Sequence, residues 1–399
     1  MKESFHQRHL LIALVYFCVA AGLGLLLRSF PIFSFDFNFK YVVHTHSHIA
    51  LLGWVYVALT TLLHYCFMEN TSNHTYIRIF WGTQGTLVGM LFTFPFQGYA
   101  LFSIIFSTLF LIMSYAYTHY FWKNIDPKYK KSNGLTCVKA ALIYMVVSSL
   151  GPWALGAVMS TLGAQSIWYR LSIYFYLHFQ YNGWMLLVLL GLFLFVQEQR
   201  GHNIPQRSFV RFFTAINLGI VLTFFLSTLW TEPSPWLYVL GGVGAMVQIG
   251  ALLVFWTFAK NGIGNLSPSN LQNQLLRTVV VLVSVKVGLQ LLTSIPYFAR
   301  MATKYLDFTV GYLHLSFLGV VSFGLFFFLD YFGLLRLSRT VYQLYFVGFL
   351  LTETLIFLKG FAFWSKWEIF EGYATTLALC SSIIVLSLVL MVLQNRTAS

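Results

Sequence analysis

Apolar residues run along this chain in blocks of about twenty or more, separated by short polar stretches. Blocks of roughly 18 or more apolar residues are long enough to cross a bilayer as helices. Twelve such spans are expected, over residues 9–29, 41–66, 77–96, 98–121, 137–160, 169–196, 209–230, 235–258, 276–298, 308–330, 338–358 and 372–393. The linkers are too short for a soluble domain. The pattern predicts an all-α integral membrane protein, a single transmembrane domain over 1–399. No A-x-A cleavage site follows the first block, so 9–29 is expected to remain as a helix.

Composition narrows this further. The chain is 58% hydrophobic and only 9% charged, against about 25% in ordinary globular chains. That excludes a soluble enzyme, a disordered chain, a collagen-like chain and a disulfide scaffold. A net charge of +13 would suggest a nucleic-acid partner in a soluble protein. Here the basic residues lie mainly between spans, so the bilayer is the expected partner and nucleic acid is not. Of the 24 Lys and Arg, 16 fall on one side of the twelve-span pattern and 7 on the other, with Lys286 inside a span. The positive-inside rule then puts both termini in the cytoplasm, in a cytoplasmic (inner) membrane. Cys18, Cys66, Cys137 and Cys380 are scattered, with no CxxC or CxxCH pair.

Three spans share one motif. Span two reads His48-Ile-Ala-Leu-Leu-Gly-Trp54, span six His178-Phe-Gln-Tyr-Asn-Gly-Trp184, and span ten His314-Leu-Ser-Phe-Leu-Gly-Val320. A Ser-Pro element precedes each: Ser29/Pro31, Ser149/Pro152 and Ser294/Pro296. The motifs lie four spans apart, which predicts a 4+4+4 pseudo-threefold bundle with repeats at roughly 1–122, 123–260 and 261–399. A two-times-six transporter has a different symmetry. The three histidines fall at matched depth. The Gly five residues later leaves room for a close neighbour, either another helix or the face of a flat cofactor.

An ionisable group inside a bilayer is functional by default. Neutral imidazole ligates haem iron and copper, and two facing histidines make a low-spin b-type haem. His48 and His314 meet the sequence requirement. The alternative is three core histidines donating to backbone carbonyls. In His44-Thr-His46-Ser-His48, His44 and His48 share a helix face and His46 points away. His44 and His46 are candidates for a metal or haem-propionate role, or are interfacial polar residues. His64 is read as structural. Lys286 and Glu353, the charges inside spans nine and eleven, are candidates for a proton path or for pairing.

The layout, with histidines in spans two, six and ten, resembles subunit I of the haem–copper oxidase and nitric oxide reductase superfamily. The resemblance implies that His48, with His44 as rival, and His314 are axial ligands of haem b. It implies that His178 is a ligand of a copper or second iron. The span-six segment also resembles that of nitric oxide reductases, with Asn182 where an acidic residue is expected. Two departures matter. Tyr312 stands where the family has a second span-ten histidine, so it is a candidate haem ligand or marks loss of that haem. Span seven lacks the family's two further copper-ligating histidines. A complete oxygen-reducing binuclear centre is therefore not expected. His46-Ser-His48-Ile-Ala-Leu-Leu-Gly53 is also similar to the NnrS family of haem- and copper-containing membrane proteins, linked to tolerance of nitric oxide stress.

These readings imply a reduced member of that superfamily, with a role in respiratory electron transfer or in handling nitric oxide or oxygen. A second metal or gas site would be formed by His178 with His44 or His46. A cytochrome or quinol would be the electron donor, and respiratory-complex subunits the partners. Two rivals stand beside it: a secondary transporter or metal permease with a histidine-lined site, and a haem-bound sensor or assembly factor. The charge asymmetry generates a direct test of orientation. Fluorescent-protein fusions at either terminus should fluoresce in the cytoplasm, and periplasm-dependent phosphatase fusions at the same points should be inactive; the reverse pattern contradicts the cytoplasmic assignment.

Overall fold

The computed structural model describes residues 2–69 and 73–396, with side chains from Phe5 onward, so the side chain of Lys2 lies outside the described residues. Every regular element among the described residues is helical. We number the helices α1 Lys2–Ser29, α2 Phe39–Phe67, α3 His74–Gln97, α4 Leu101–Asn124, α5 Asn133–Thr161, α6 Ile167–Gln199, α7 Gln206–Thr231, α8 Pro235–Leu266, α9 Asn270–Leu292, α10 Pro296–Lys304, α11 Leu306–Tyr331, α12 Arg339–Ser365 and α13 Tyr373–Arg396. Eleven are long and apolar enough to cross a membrane, which makes this a multi-pass membrane architecture. The 24-residue α3 is not among these eleven, because Arg78, Gln84, Gln97 and several threonines dilute its apolar run.

Local chemistry explains the helix starts. Asn38, Asn73, Ser132, Ser166 and Ser338 each accept hydrogen bonds from first-turn N–H groups, which have no intrahelical partner. Ser269 and Gln272 form a reciprocal capping box that starts α9 at Asn270. The ninth span therefore begins earlier than the expected 276 and ends at Leu292, short of 298. Pro296 opens the separate helix α10 instead. The Ser-Pro elements occupy related places. Pro31 follows the end of α1, and α5 is interrupted at Ser149 just before Pro152.

Each motif histidine marks a change of helix type. The α-helical turns run 10 residues from Phe39 to His48, 12 from Ile167 to His178, and 9 from Leu306 to His314. Immediately after each, the backbone becomes π-helical, over Ile49–Tyr56, Phe179–Met185 and Leu315–Val321. A π turn carries an extra residue, so it rotates the remainder of the helix by roughly 100°, the angle of one α-helical residue. These three helices are also the most enclosed. In α2, α6 and α11 the share of the apolar stretch that is buried is 89%, 89% and 72%, and no other of the eleven exceeds 44%.

The chain divides into two compact units. Unit 1 comprises residues 1–127 and 322–399: α1–α4, the end of α11, α12 and α13. Within it, α1 packs on the π segment of α2 and on α13, α3 on α4, and α12 on α13. Unit 2 comprises residues 128–321, α5–α10 and the start of α11. There α5 packs on the π segment of α6, α7 on α8, and α9 on the π segment of α11. The expected repeat 1–122 falls within unit 1, and the repeat 261–399 is divided between the units.

The motif glycines explain two of these packings. A Cβ on Gly53 would lie 2.8 Å from Cβ and Cγ of Tyr16 on α1, and one on Gly183 would lie 2.6 Å from Cγ of Tyr144 on α5. Of the two neighbours allowed by sequence, a helix occupies the space at both positions. The atoms met are at the base of the tyrosine side chain, so rotamer change gives little relief. Gly53→Ala and Gly183→Ala should each lower stability in detergent by about 1–3 kcal/mol. Gly156→Ala, where nothing lies within 4 Å, should not. Equal unfolding midpoints for all three variants would contradict this packing.

Candidate functional site

In unit 1 the site is built on α2. Its helical turn puts His44 and His48 on one face and His46 on another. His48 donates from Nδ1 to the His44 carbonyl at 2.8 Å, four residues back on its own helix. Its Nε2 is 3.3 Å from the Tyr99 hydroxyl. Its ring lies against Phe94, with centroids 4.4 Å apart. The His44 ring meets the edge of Tyr99, with centroids 4.6 Å apart. His46 faces α1 instead and donates from Nδ1 to the Ala20 carbonyl at 2.8 Å. Gly24 leaves room there, since a Cβ on it would lie 3.1 Å from the His46 ring. His46 is thus held by backbone on the face away from His44 and His48.

His314 in unit 2 repeats the His48 geometry. Its Nδ1 donates to the Val310 carbonyl at 2.9 Å, again four residues back on its own helix. In both residues this bond fixes the tautomer in which Nε2 carries the lone pair. That is the usual state of a histidine whose Nε2 binds a metal, because the other ring N–H is anchored to a carbonyl or carboxylate.

His178 is held differently. It is 1% exposed, and its Nε2 donates to the carbonyl of Ile220 on α7 at 2.8 Å. That carbonyl lies near the point where α7 tightens to a 3₁₀ helix at Phe224, whose N–H bonds to Val221 and Leu222 instead. Its Nδ1 faces the Asn182 amide and the Ser227 hydroxyl, each at 3.3 Å. All three motif histidines therefore donate to backbone carbonyls. Only in His178 is Nε2 the donor, and its bond reaches another helix where those of His48 and His314 stay within their own.

Asn182 links His178 to a larger buried network in unit 2. Lys286, on α9 and 2% exposed, donates to Asn182 Oδ1 at 2.7 Å and to Gln290 Oε1 at 3.1 Å. Gln290 passes a bond to Gln248 Oε1 on α8 at 2.8 Å, and Tyr312 donates to Gln290 Oε1 at 3.2 Å. The ammonium sits 5.3 and 5.6 Å from the ring centroids of Tyr181 and Tyr312. Such cation–π contacts are worth about 0.5–2 kcal/mol each. Amide oxygens and ring faces thus hold this ammonium. Tyr312, the candidate haem ligand, bonds to an amide and presents its ring to Lys286.

Glu353 on α12 has a different environment. It is buried in unit 1, and neither carboxylate oxygen has a hydrogen-bond partner. Arg28 is the neighbouring charge that acts on it. Among the described residues no group of three His, Cys, Asp or Glu side chains is placed to hold a metal ion.

Sequence reasoning overlooked Gln248, Gln290 and Tyr181. Lys286 and Gln290 are spaced i,i+4 on an otherwise lipid-exposed helix, which was the available signal. It also left aside His6 and His9, which are buried with His64 near the N-terminal end of unit 1. Compared with known proteins, the chain matches no family model and no curated protein.

The network generates a coupling test. Asn182→Leu removes the shortest acceptor from a buried ammonium, and should cost about 3–5 kcal/mol. Adding Lys286→Met to that variant should recover part of the loss, because no charge is then left unsatisfied. Additive losses in detergent unfolding would contradict the coupling.

Proposed function

We propose that this protein is a membrane-embedded b-type haem protein of the cytoplasmic membrane, with His48 and His314 as axial ligands. In this reading the chain is a reduced relative of haem–copper oxidase and nitric oxide reductase subunit I, also akin to NnrS proteins. Its spans form three groups of four, with both termini cytoplasmic. Its role is electron transfer, or the handling of nitric oxide or oxygen, with a cytochrome or quinol as donor. Haem, when bound, supplies one-electron redox chemistry.

One observation carries the assignment. His48 and His314 occupy the same place in their motifs, each at the end of an α-helical stretch and before a π segment. Each anchors Nδ1 to the carbonyl four residues earlier. The donor set suits iron: two neutral imidazoles with the same tautomer, on separate helices. Phe94 packs beside His48 with ring planes 31° from parallel, as expected for an apolar pocket wall.

His178 has less support as a ligand of copper or a second iron. Its Nε2 is the donor, and a metal at Nε2 would have to replace the 2.8 Å bond to Ile220 on another helix. We therefore assign no binuclear chemistry to this chain. A second reading, a transporter with a polar intramembrane site, draws on the buried charges Lys286 and Glu353. It expects transport activity and no haem.

The ligand assignment separates the histidines. His48→Ala and His314→Ala should each abolish the spectrum of a six-coordinate b haem, and His178→Ala should leave it in place. An intact six-coordinate spectrum in His314→Ala overturns the assignment, and its loss in His178→Ala redirects it.

A further inference from the structure

A second polar assembly lies in unit 1, remote from the motif on α2. His6 Nε2 and His64 Nδ1 are 2.9 Å apart, and His64 Nε2 is 3.2 Å from the Tyr120 hydroxyl. The His64 ring stacks on Tyr76, with centroids 3.6 Å apart and planes 13° from parallel. The Tyr76 hydroxyl in turn is 3.2 Å from His9 Nδ1. His6 and His64 are fully buried. Five polar side chains are thus gathered from α1, α2, α3 and α4, as two hydrogen-bonded sets, His6–His64–Tyr120 and His9–Tyr76, that meet at the stack of His64 on Tyr76.

Tyr76 also borders a small internal void, together with Tyr56, Thr60, Thr83 and Gln84. The space open to the centre of a water-sized sphere is about 10 Å³, which is room for one water. Two polar atoms at this void are buried without partners: the Tyr56 hydroxyl and Gln84 Oε1. The Gln84 amide nitrogen is already bonded to the Phe80 carbonyl, at 3.3 Å. A buried acceptor or donor left without a partner forfeits its hydration with nothing in exchange. An apolar occupant would leave both atoms unsatisfied. A water supplies a donor to Gln84 and either role to Tyr56, with Thr60 and Thr83 hydroxyls as further acceptors.

We propose that the void holds a single water, and that this water and the hydrogen-bonded His9–Tyr76 pair form a proton-carrying file into unit 1. Along the file each group accepts a proton on one side and releases one on the other, so a proton taken up at the surface is balanced by one arriving at the water. The inference rests on the haem reading for its use. Tyr56 lies eight residues from His48 on α2, on the order of 12 Å along the axis. An electron added to a haem in a low-dielectric interior attracts a compensating proton over that range.

The test uses the full-length protein in detergent and the variant Tyr56→Phe with Gln84→Leu, which removes the water's two main partners and leaves the histidines in place. Proton uptake is followed with a pH dye in lightly buffered medium during electrochemical reduction. The expected result is at least a tenfold slower uptake in the variant with the haem bands retained. Unchanged uptake with the bands retained overturns the file. A high-resolution cryo-electron-microscopy map tests the water independently of haem. Density bridging the Tyr56 hydroxyl and Gln84 Oε1 supports the site, and a void empty in that map overturns it. Absent haem bands in the parent protein, with the water present, would refute the function proposed above and not the water site.

Discussion

A bilayer offers no bulk water to a buried donor or acceptor, so a polar group placed inside this bundle is costly unless it finds a partner in the protein or in a trapped water. That constraint accounts for the form of the most enclosed helices. α2, α6 and α11 carry the motif histidines, and each histidine spends one ring N–H on a backbone carbonyl. Lys286 is held by two amide oxygens and two ring faces. The remaining spans can then turn Val, Leu, Trp and Met outward to lipid, as α8 and α9 do.

The same constraint separates the histidines by chemistry. A bond from Nδ1 to the residue's own helix holds the ring and leaves Nε2 as the acceptor nitrogen, which in His48 faces the Tyr99 hydroxyl. That is the arrangement in His48 and His314. A bond from Nε2 to another helix ties two helices together, and that is the arrangement in His178. The π segments add a second element. Each begins one residue after a motif histidine, so the histidine sits where the helix changes phase, a position common for π turns at functional sites. In our reading, one pair of histidines serves iron, and the third belongs to a polar network centred on an ammonium.

Much of the architecture was legible in the sequence because hydropathy is a local property. The spans, the motif histidines and the split of His44 and His48 from His46 follow from run length and from the 3.6-residue period. The start of α9 was missed although Ser269 and Gln272 spell its capping box, because apolar content rather than capping set the expected boundary. The π segments had no signal, since a π turn is chosen by packing and not by a residue type. The roles of Gln248, Gln290 and Tyr181 depend on side chains far apart in sequence meeting in space, Gln248 with Gln290 across 42 positions and Tyr181 with Lys286 across 105, as do the bonds of His6 to His64 across 58 residues. Tyr312 shows what motif position leaves unsaid: it is a candidate haem ligand or a mark of that haem's loss, and its bond to Gln290 has no signal in the motif.

The central claim is that two histidines on separate helices hold a b-type haem. The most direct measurement is a reduced-minus-oxidised visible spectrum of the purified protein, produced in cells with ample haem. The expected result is the sharp α and β bands of a six-coordinate b haem at about one haem per chain. A featureless difference spectrum from folded, monodisperse protein would contradict the account and leave the polar network of unit 2 as the place to look for function.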